Sequence, residues 1–329
     1  MITIPDPLVV LTPSGLYCPK GDFYIDPHRK VAKAVITHGH SDHARTGHHA
    51  YLATDASEWI LKSRLGKNII LETVAYGETI HIGSVEVSFH PAGHVLGSGQ
   101  VCINHHGRKW VITGDYKIEA DDTCAPFEVV KCEAFITETT FALPFFKWKP
   151  QNQVFHDINE WWKMNADNNI LSVIYAYSLG KAQRILAGVD GSPGPIYVHP
   201  SIAEMNNAYL MSGMRLPGCI TLDKNTTILH QGLVITPQHT LNKLNDIRRE
   251  EMSIAYASGW MQTRSGRKSA NADVGFVLSD HVDYPGLLQT VEATEAEYIF
   301  ATHGYETEAV HTLRQQNKQA FPLEVLSIS

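Results

Sequence analysis

Residues 35–44, VITHGHSDHA, set His38, His40, Asp42 and His43 within six positions directly after an apolar run. Imidazole and carboxylate groups are ligands for Zn²⁺, Mn²⁺ and Fe²⁺. One loop carrying four of them can feed two ions from opposite sides. Three further residues of the same kind follow apolar runs: His94 in PAGHVLGSGQ, Asp115 at the end of WVITGD and His303 at the end of YIFATHG. A lone loop histidine is ordinarily a satisfied polar residue, and an aspartate before a tyrosine is ordinarily a turn former. The dense cluster at 38–43 is what raises all three together. The chemistry open to such a set is metal-assisted hydrolysis, with Asp115 able to bridge two ions.

Those side chains need elements to carry them. The first half of the chain reads as short strands joined by turns: VAKAVITH, TIHIGSVEVSFH, QVCINHHGRKWVITGD and EAFITET are β-branched runs bounded by Gly, Asp or Asn. TDASEWILKSRLG reads as a helix, with Thr54 or Asp55 as N-cap and Gly66 as stop. After about residue 143 strands alternate with helices: Val154, Ile158, Trp161 and Trp162 share one helical face as core, and ILSVIYAY, GKAQRILAGV, PIYVHP, residues 201–211, LVITPQ and MSIAYASG follow. That alternation predicts a parallel-sheet unit. From Val274 the β texture returns with VGFVLSD, a helix, YIFATHG and a closing helix. The expected organisation is one domain in two parts, residues 1–142 and 274–329, with a second domain of residues 143–273 inserted.

Bulk properties narrow the class. With 329 residues, 43% hydrophobic and 19% charged, the composition is that of an ordinary globular protein. The N-terminal stretch lacks a basic region ahead of an apolar core, and no apolar run is long enough to span a bilayer, so no membrane partner and a cytoplasmic location are expected. Five scattered cysteines without a CxxC read as reduced thiols. The net charge of −7 decides little about a polyanionic partner, since bound divalent ions would offset much of it and the local field matters more.

Other residues are candidates on weaker grounds. Glu138 in AFITETTFA ends a strand, where a carboxylate could simply bond a neighbouring threonine. Asp280 and Asp283 flank a helix start, where acidic charge suits the macrodipole, but His281 between them does not suit it. VIYAYSLGKAQRIL reads as strand, turn and helix, with Ser178, Gly180 and Lys181 at a helix N-terminus of the kind that attracts phosphate. The spacing is not that of a Walker A loop. In SGWMQTRSGRKSAN, Arg264, Arg267 and Lys268 accompany Trp260 in what reads as a Gly/Ser-rich loop suited to a nucleic-acid strand.

In this order, His38, His40, Asp42, His43, His94, Asp115 and His303 resemble the five motifs of the metallo-β-lactamase superfamily. The resemblance implies an α/β fold, a four-layered αββα sandwich, with His38, His40 and His94 on one ion, Asp42, His43 and His303 on the other and Asp115 bridging. About 190 residues separate Asp115 from His303. With Glu138, His281 and ATHGY, that insertion resembles the β-CASP nucleases. By that pattern Glu138 orients a metal-bound histidine, and His281 bonds the scissile phosphate or protonates the leaving oxygen.

Over nearly the whole chain, including LTPSGLYCPKGDFYIDP and KAVITHGHSDHARTG, the sequence is similar to bacterial ligase-associated DNA exonucleases. That similarity implies a 5′-to-3′ DNA exonuclease trimming ends in repair, using two divalent ions (Zn²⁺ or Mn²⁺, with Fe²⁺ also admitted). Its partners would be single-stranded or duplex DNA ends, an ATP-dependent DNA ligase and a helicase. A 5′-phosphate is expected on the 178–181 turn, with Lys181 and Arg264 or Arg267 as counter-charges. His303 departs from the valine usual in DNA-specific crosslink-repair members and points to RNA processing as the alternative. A small-molecule thioester hydrolase is disfavoured by the insertion, and a decayed binding protein by the complete ligand set.

Overall fold

The computed structural model describes residue 4 and residues 6–238 and 247–328. In chain order it lays down β1 (Val10–Thr12), β2 (Gly15–Cys18), β3 (Phe23–Ile25), β4 (Lys33–Val35), β5 (Ala50–Thr54), α1 (Glu58–Leu65) and β6 (Leu71–Val74). Next come β7 (Thr79–Ile82), β8 (Val85–Pro91), β9 (Gly99–His105), β10 (Arg108–Ile112) and β11 (Ala134–Thr139). The middle of the chain holds α2 (Gln151–Asp167), β12 (Leu171–Tyr175), α3 (Lys181–Gly188), β13 (Ile196–Val198), α4 (Pro200–Met211), β14 (Ile220–Thr221), β15 (Leu233–Thr236), β16 (Met252–Ala257), α5 (Arg264–Ala270) and β17 (Val274–Phe276). It closes with α6 (Tyr284–Ala293), β18 (Tyr298–Gly304), α7 (Glu306–Gln315) and β19 (Gln319–Pro322).

Two compact units result, Met1–Lys147 with His281–Ser329, and Trp148–Asp280. The first holds a six-stranded sheet ordered β1 to β6 and a seven-stranded sheet ordered β19-β18-β11-β10-β9-β8-β7. Along β10, Trp110 and Ile112 point into the core shared with Phe23, Ile25, Val35 and Leu52 of the other sheet, while Val111 points to the opposite face. That is the period-two alternation of a strand packed on both sides. Leu61 of α1 covers the outer face of one sheet with Ala34, Tyr51 and Ala53. Leu287, Val291, Val310 and Leu313 of α6 and α7 cover the outer face of the other. The layers are therefore αββα, as the resemblance to the metallo-β-lactamase superfamily implies, interrupted by the inserted unit.

The inserted unit is a six-stranded parallel sheet ordered β14-β13-β15-β12-β16-β17. Its central strands are buried on both faces, as covered parallel sheets require. Ile174 and Ile235 pack with Ile158, Trp162 and Ile185 on one side, and Val173 and Val234 with Tyr197 and Ile254 on the other. Trp161 and Trp162 are core residues, as their spacing predicts.

Three local expectations change. β17 was expected to begin the return to the first domain, but it pairs with β16 at the edge of the inserted sheet. The units meet a few residues after each expected boundary, because an isolated apolar strand does not reveal which sheet it joins. The 259–271 stretch is not a loop: a 3₁₀ turn (Gly259–Gln262) leads into α5. There Thr263 caps the helix by accepting from Gly266 N–H at 2.9 Å, and Asn271 closes it in the left-handed conformation. α1 starts at Glu58 after a 3₁₀ turn rather than at Thr54, whose hydroxyl donates instead to Gly97 O at 2.6 Å. Among the described residues, no helix is long and apolar enough to cross a membrane.

Candidate metal centre

The first-unit ligands stand where strands end. β4 leads into residues 37–43, β8 into the loop bearing His94, β10 into Asp115 and β18 into His303. Two close approaches make this possible. Gly93 has φ +71, and a Cβ there would lie 2.2 Å from Lys117 O; Gly97 has φ +78, with Ser57 backbone at 2.5 Å. Only glycine fits either position. The His94 loop is closed by Ser98, whose Oγ accepts from His94 N–H at 3.1 Å.

Asp115, buried, sits among four histidines. Its Oδ2 is 3.5 Å from His38 Nε2, 3.7 Å from His94 Nε2 and 3.9 Å from His281 Nε2, and its Oδ1 is 3.5 Å from His43 Nε2. His40 Nδ1 lies 3.0 Å from His94 Nε2. One ligand atom from each of His38, His40, His94 and Asp115 falls within 4.8 Å of every other. Ligands about 2.1 Å from a tetrahedral ion stand about 3.4 Å from one another, so the spacing fits.

Protonation supports the fit. Asp26 accepts from Thr37 Oγ1–H at 2.5 Å, from Thr37 N–H at 2.8 Å and from His43 Nδ1–H at 2.7 Å. The hydroxyl proton of Thr37 is used there, so its oxygen accepts from His38 Nδ1–H at 3.1 Å. In His38 and His43 alike, the neutral ring then carries its lone pair on Nε2. Both Nε2 atoms are buried without a hydrogen bond, an arrangement costly for polar atoms unless a cation meets them.

The field points the same way. Burial, reinforced by repulsion from His43, holds the His38 pKa well below its usual value, in the ligating neutral form. Burial would lower His43 too, but Asp115 and Asp26 outweigh it and raise its pKa well above normal. Burial pushes Asp115 up, yet His43 and His281 hold it well below the usual carboxylate range. The two carboxylates draw positive charge to His43, as a proton or as a metal ion.

The expected second ligand set is looser. Asp42 Oδ2 lies 3.8 Å from His43 Nε2 but is largely exposed, and the exposed His303 stacks on His43 at 5.4 Å between ring centroids. Glu138 was expected to orient a metal-bound histidine; it holds His281 instead. Glu138 Oε2 accepts from His281 Nδ1–H at 2.7 Å and from Thr140 Oγ1–H at 2.5 Å, and Oε1 accepts from Tyr116 N–H at 2.8 Å. His281 is the more accessible partner, its side chain 24% exposed. Asp283 is the N-cap of α6, accepting from Gly286 N–H at 2.9 Å. Asp26 escaped the sequence reading; its only signal was a strand-end carboxylate before Pro27, which looks like a turn former.

In the inserted unit, the turn expected to take phosphate bonds to the protein itself. Gly180 N–H donates to Gln183 Oε1 at 2.7 Å, Lys181 N–H to Leu179 O at 3.2 Å and Ala182 N–H to Tyr177 O at 3.1 Å. Ser178 Oγ is 2.7 Å from Ser201 Oγ. Lys181, 3% exposed, donates to Leu278 O at 2.7 Å and ion-pairs Asp280 at 2.9 Å. Buried Arg184 takes the other Asp280 oxygen at 2.6 Å. The N–H groups of Gly180, Lys181 and Ala182 and the Lys181 ammonium are thus bonded to protein acceptors. Arg264 and Arg267 are exposed on α5, with Arg267 Nε–H donating to Met261 O at 2.7 Å.

No family model matches the chain. A protein of Opitutus terrae named "Probable DNA ligase" is 30% identical over 312 residues, 94% of this chain. An Aspergillus fumigatus "Endoribonuclease ysh1" is 30% identical over 37% of the chain, and a Methanocaldococcus jannaschii "RNase J-like protein" 25% identical over 39%. The chain spans only 30%, 14% and 32% of these relatives' own lengths. A crystal structure of a protein of unknown function from Enterococcus faecalis shares the fold, with a TM-score of 0.58 at 14% identity over 84% of this chain and 76% of that one. With the αββα layers and the inserted parallel-sheet unit, these similarities show that the chain belongs to the β-CASP branch of the metallo-β-lactamase superfamily.

Proposed function

We propose that the chain is a metal-dependent nuclease, a 5′-to-3′ exonuclease that trims DNA ends in repair. The observation that carries the hydrolytic reading is the pair of buried Nε2 atoms of His38 and His43, without a hydrogen bond and beside Asp115. His38, His40, His94 and Asp115 would hold one divalent ion, and Asp42, His43 and His303, with Asp115 shared, a second. Such ions supply Lewis-acid polarisation of a phosphodiester and lower the pKa of water from 15.7 to about 7. Zn²⁺, Mn²⁺ and Fe²⁺ suit this donor set about equally.

The chain's own residues do the rest. Glu138 fixes the His281 ring by Nδ1, which leaves Nε2 to face the substrate side near Asp115. From there a protonated Nε2–H donates to a phosphate oxygen or gives its proton to the departing oxygen. The negative charge of Glu138 stabilises the imidazolium needed for that transfer. Asp26 and Thr37 fix the tautomers of His43 and His38 and keep their lone pairs on the metal side.

DNA is favoured over RNA because the ligase-named relative matches 94% of the chain, the inserted unit included, whereas the endoribonuclease-named relatives match between 34% and 55%. That relative also supports a functional tie to a DNA ligase. The RNA reading draws on the endoribonuclease names and on His303. The test uses matched 5′-phosphorylated DNA and RNA oligonucleotides labelled at either end, with Mn²⁺, Mg²⁺ or Zn²⁺, and Asp115→Ala beside the wild type. Mononucleotides released from the 5′ end of DNA and lost in the variant sustain the proposal; cleavage of RNA alone replaces it with RNA processing. Thioester hydrolysis without oligonucleotide cleavage removes the nuclease reading.

A further inference from the structure

On the first unit, two open depressions adjoin the loop that carries the candidate ligands. One encloses about 620 Å³ between residues 28–30, residues 41–46 and the end of α1. The other, about 740 Å³, shares Lys30 and His48 with it. Arg29, Lys30, Arg45 and Arg64 line the first, and no carboxylate lines either. Arg29, Lys30 and Arg45 are exposed, and among the described residues none forms an ion pair with a carboxylate. Arg64 donates to Gly39 O and Arg45 reaches Asp42 O at 3.5 Å, so both guanidinium groups lean on the ligand loop itself. Each guanidinium has five N–H donors, and one contact leaves most of them for a partner.

In a chain of net charge −7, four cations around carboxylate-free depressions concentrate positive potential where the sum predicts the opposite. An enclosed pocket suits one small anion. Two open depressions with a common wall suit a chain of anions. We propose that this groove is a phosphate track that holds the nucleic-acid strand beyond the scissile bond. The inference rests on the nuclease reading and adds to it a surface that neither the sequence motifs nor the comparisons assign. The contacts are with backbone phosphates, so they set affinity and register without reading sequence.

The test is equilibrium binding of the metal-loaded protein to a fluorescent, cleavage-resistant phosphorothioate single strand across a range of salt concentrations. Each phosphate contact on a single strand contributes about 0.7 to the slope of log K against log salt. The variant Arg29→Gln/Lys30→Gln/Arg45→Gln is expected to lower that slope by about 2 and to weaken binding at low salt at least tenfold. An unchanged melting temperature and metal content show that the variant is folded. Lys30→Gln is set against Lys224→Gln, which removes the same charge from the inserted unit and leaves the slope as it was. A wild-type slope in the triple variant, as expected if the groove serves an acidic protein segment, overturns the track while the nuclease reading stands. Failure of the wild type to bind or cut any oligonucleotide overturns both.

Discussion

The loop at 37–43 and the turn at 178–181 look alike in sequence, each an apolar strand followed by a dense set of polar groups. In the structure they part. His38 and His43 have one ring nitrogen bonded to Thr37 and Asp26 and the other buried with no hydrogen bond. Gly180 and Lys181 donate within the inserted unit, and Ser178 Oγ pairs with Ser201 Oγ. A site retains polar atoms that the protein itself does not satisfy; a structural turn consumes them.

The largest effect should come from the centre of the first region. Asp115→Ala removes the carboxylate nearest four imidazoles and is expected to cut phosphodiester hydrolysis at least a thousandfold, about 4 kcal/mol of barrier. The same variant should lose most of the rise in melting temperature that added Mn²⁺ or Zn²⁺ gives the wild type, which is about 2.7 kcal/mol of stability at a hundred times Kd. Equal metal shifts in both proteins would remove Asp115 from the ligand set.

A second variant probes the other region on its own terms. Asp280 is shared by Lys181 and Arg184, all three buried. Asp280→Ala leaves two interior cations without their carboxylate and should cost about 3–5 kcal/mol. Chemical unfolding followed by the fluorescence of Trp161 and Trp162 would measure it. Lys181→Met should cost less, since Asp280 keeps Arg184. A loss below about 1 kcal/mol for Asp280→Ala would mean that these donors are spare, and the contrast between the regions would weaken.

What the sequence disclosed follows the same division. The insertion and the strand-end places of His38, His94 and Asp115 were legible because apolar runs and strand-end polar residues are local signals, whereas the sandwich followed from the resemblance to the metallo-β-lactamase superfamily. Asp26 was not, since its partner His43 lies 17 positions away and nothing local separates a ligand-orienting carboxylate from a turn former. The Lys181–Asp280 pair spans still more of the chain, so a buried counter-ion read as a free phosphate ligand. The helix at Arg264–Ala270 was hidden by its Gly and Ser content, its stability lying in caps at Thr263 and Asn271. Local pattern names candidates; the partner of each candidate decides its role.

Asp26→Asn sharpens the first region at smaller amplitude. It preserves shape but removes the charge that fixes His43 and Thr37, and through Thr37 the tautomer of His38. Affinity for the metal should fall 10- to 100-fold, about 1.4–2.7 kcal/mol, as read by competition with a chromophoric chelator. Unchanged affinity would mean that burial alone sets the two tautomers.

The smallest effect belongs to Ser178→Ala. Its hydroxyl bonds Ser201 Oγ, so stability should fall by about 0.5–1.5 kcal/mol. The ratio of rates on 5′-phosphorylated and 5′-hydroxyl DNA should stay that of the wild type, because the hydroxyl is held against Ser201 Oγ at 2.7 Å. Should the ratio drop tenfold, the turn opens to its ligand on binding and trades Ser201 for phosphate. The satisfied donors at Gly180 and Lys181 would then describe a resting arrangement, and hydrogen-bond satisfaction would cease to separate the two regions.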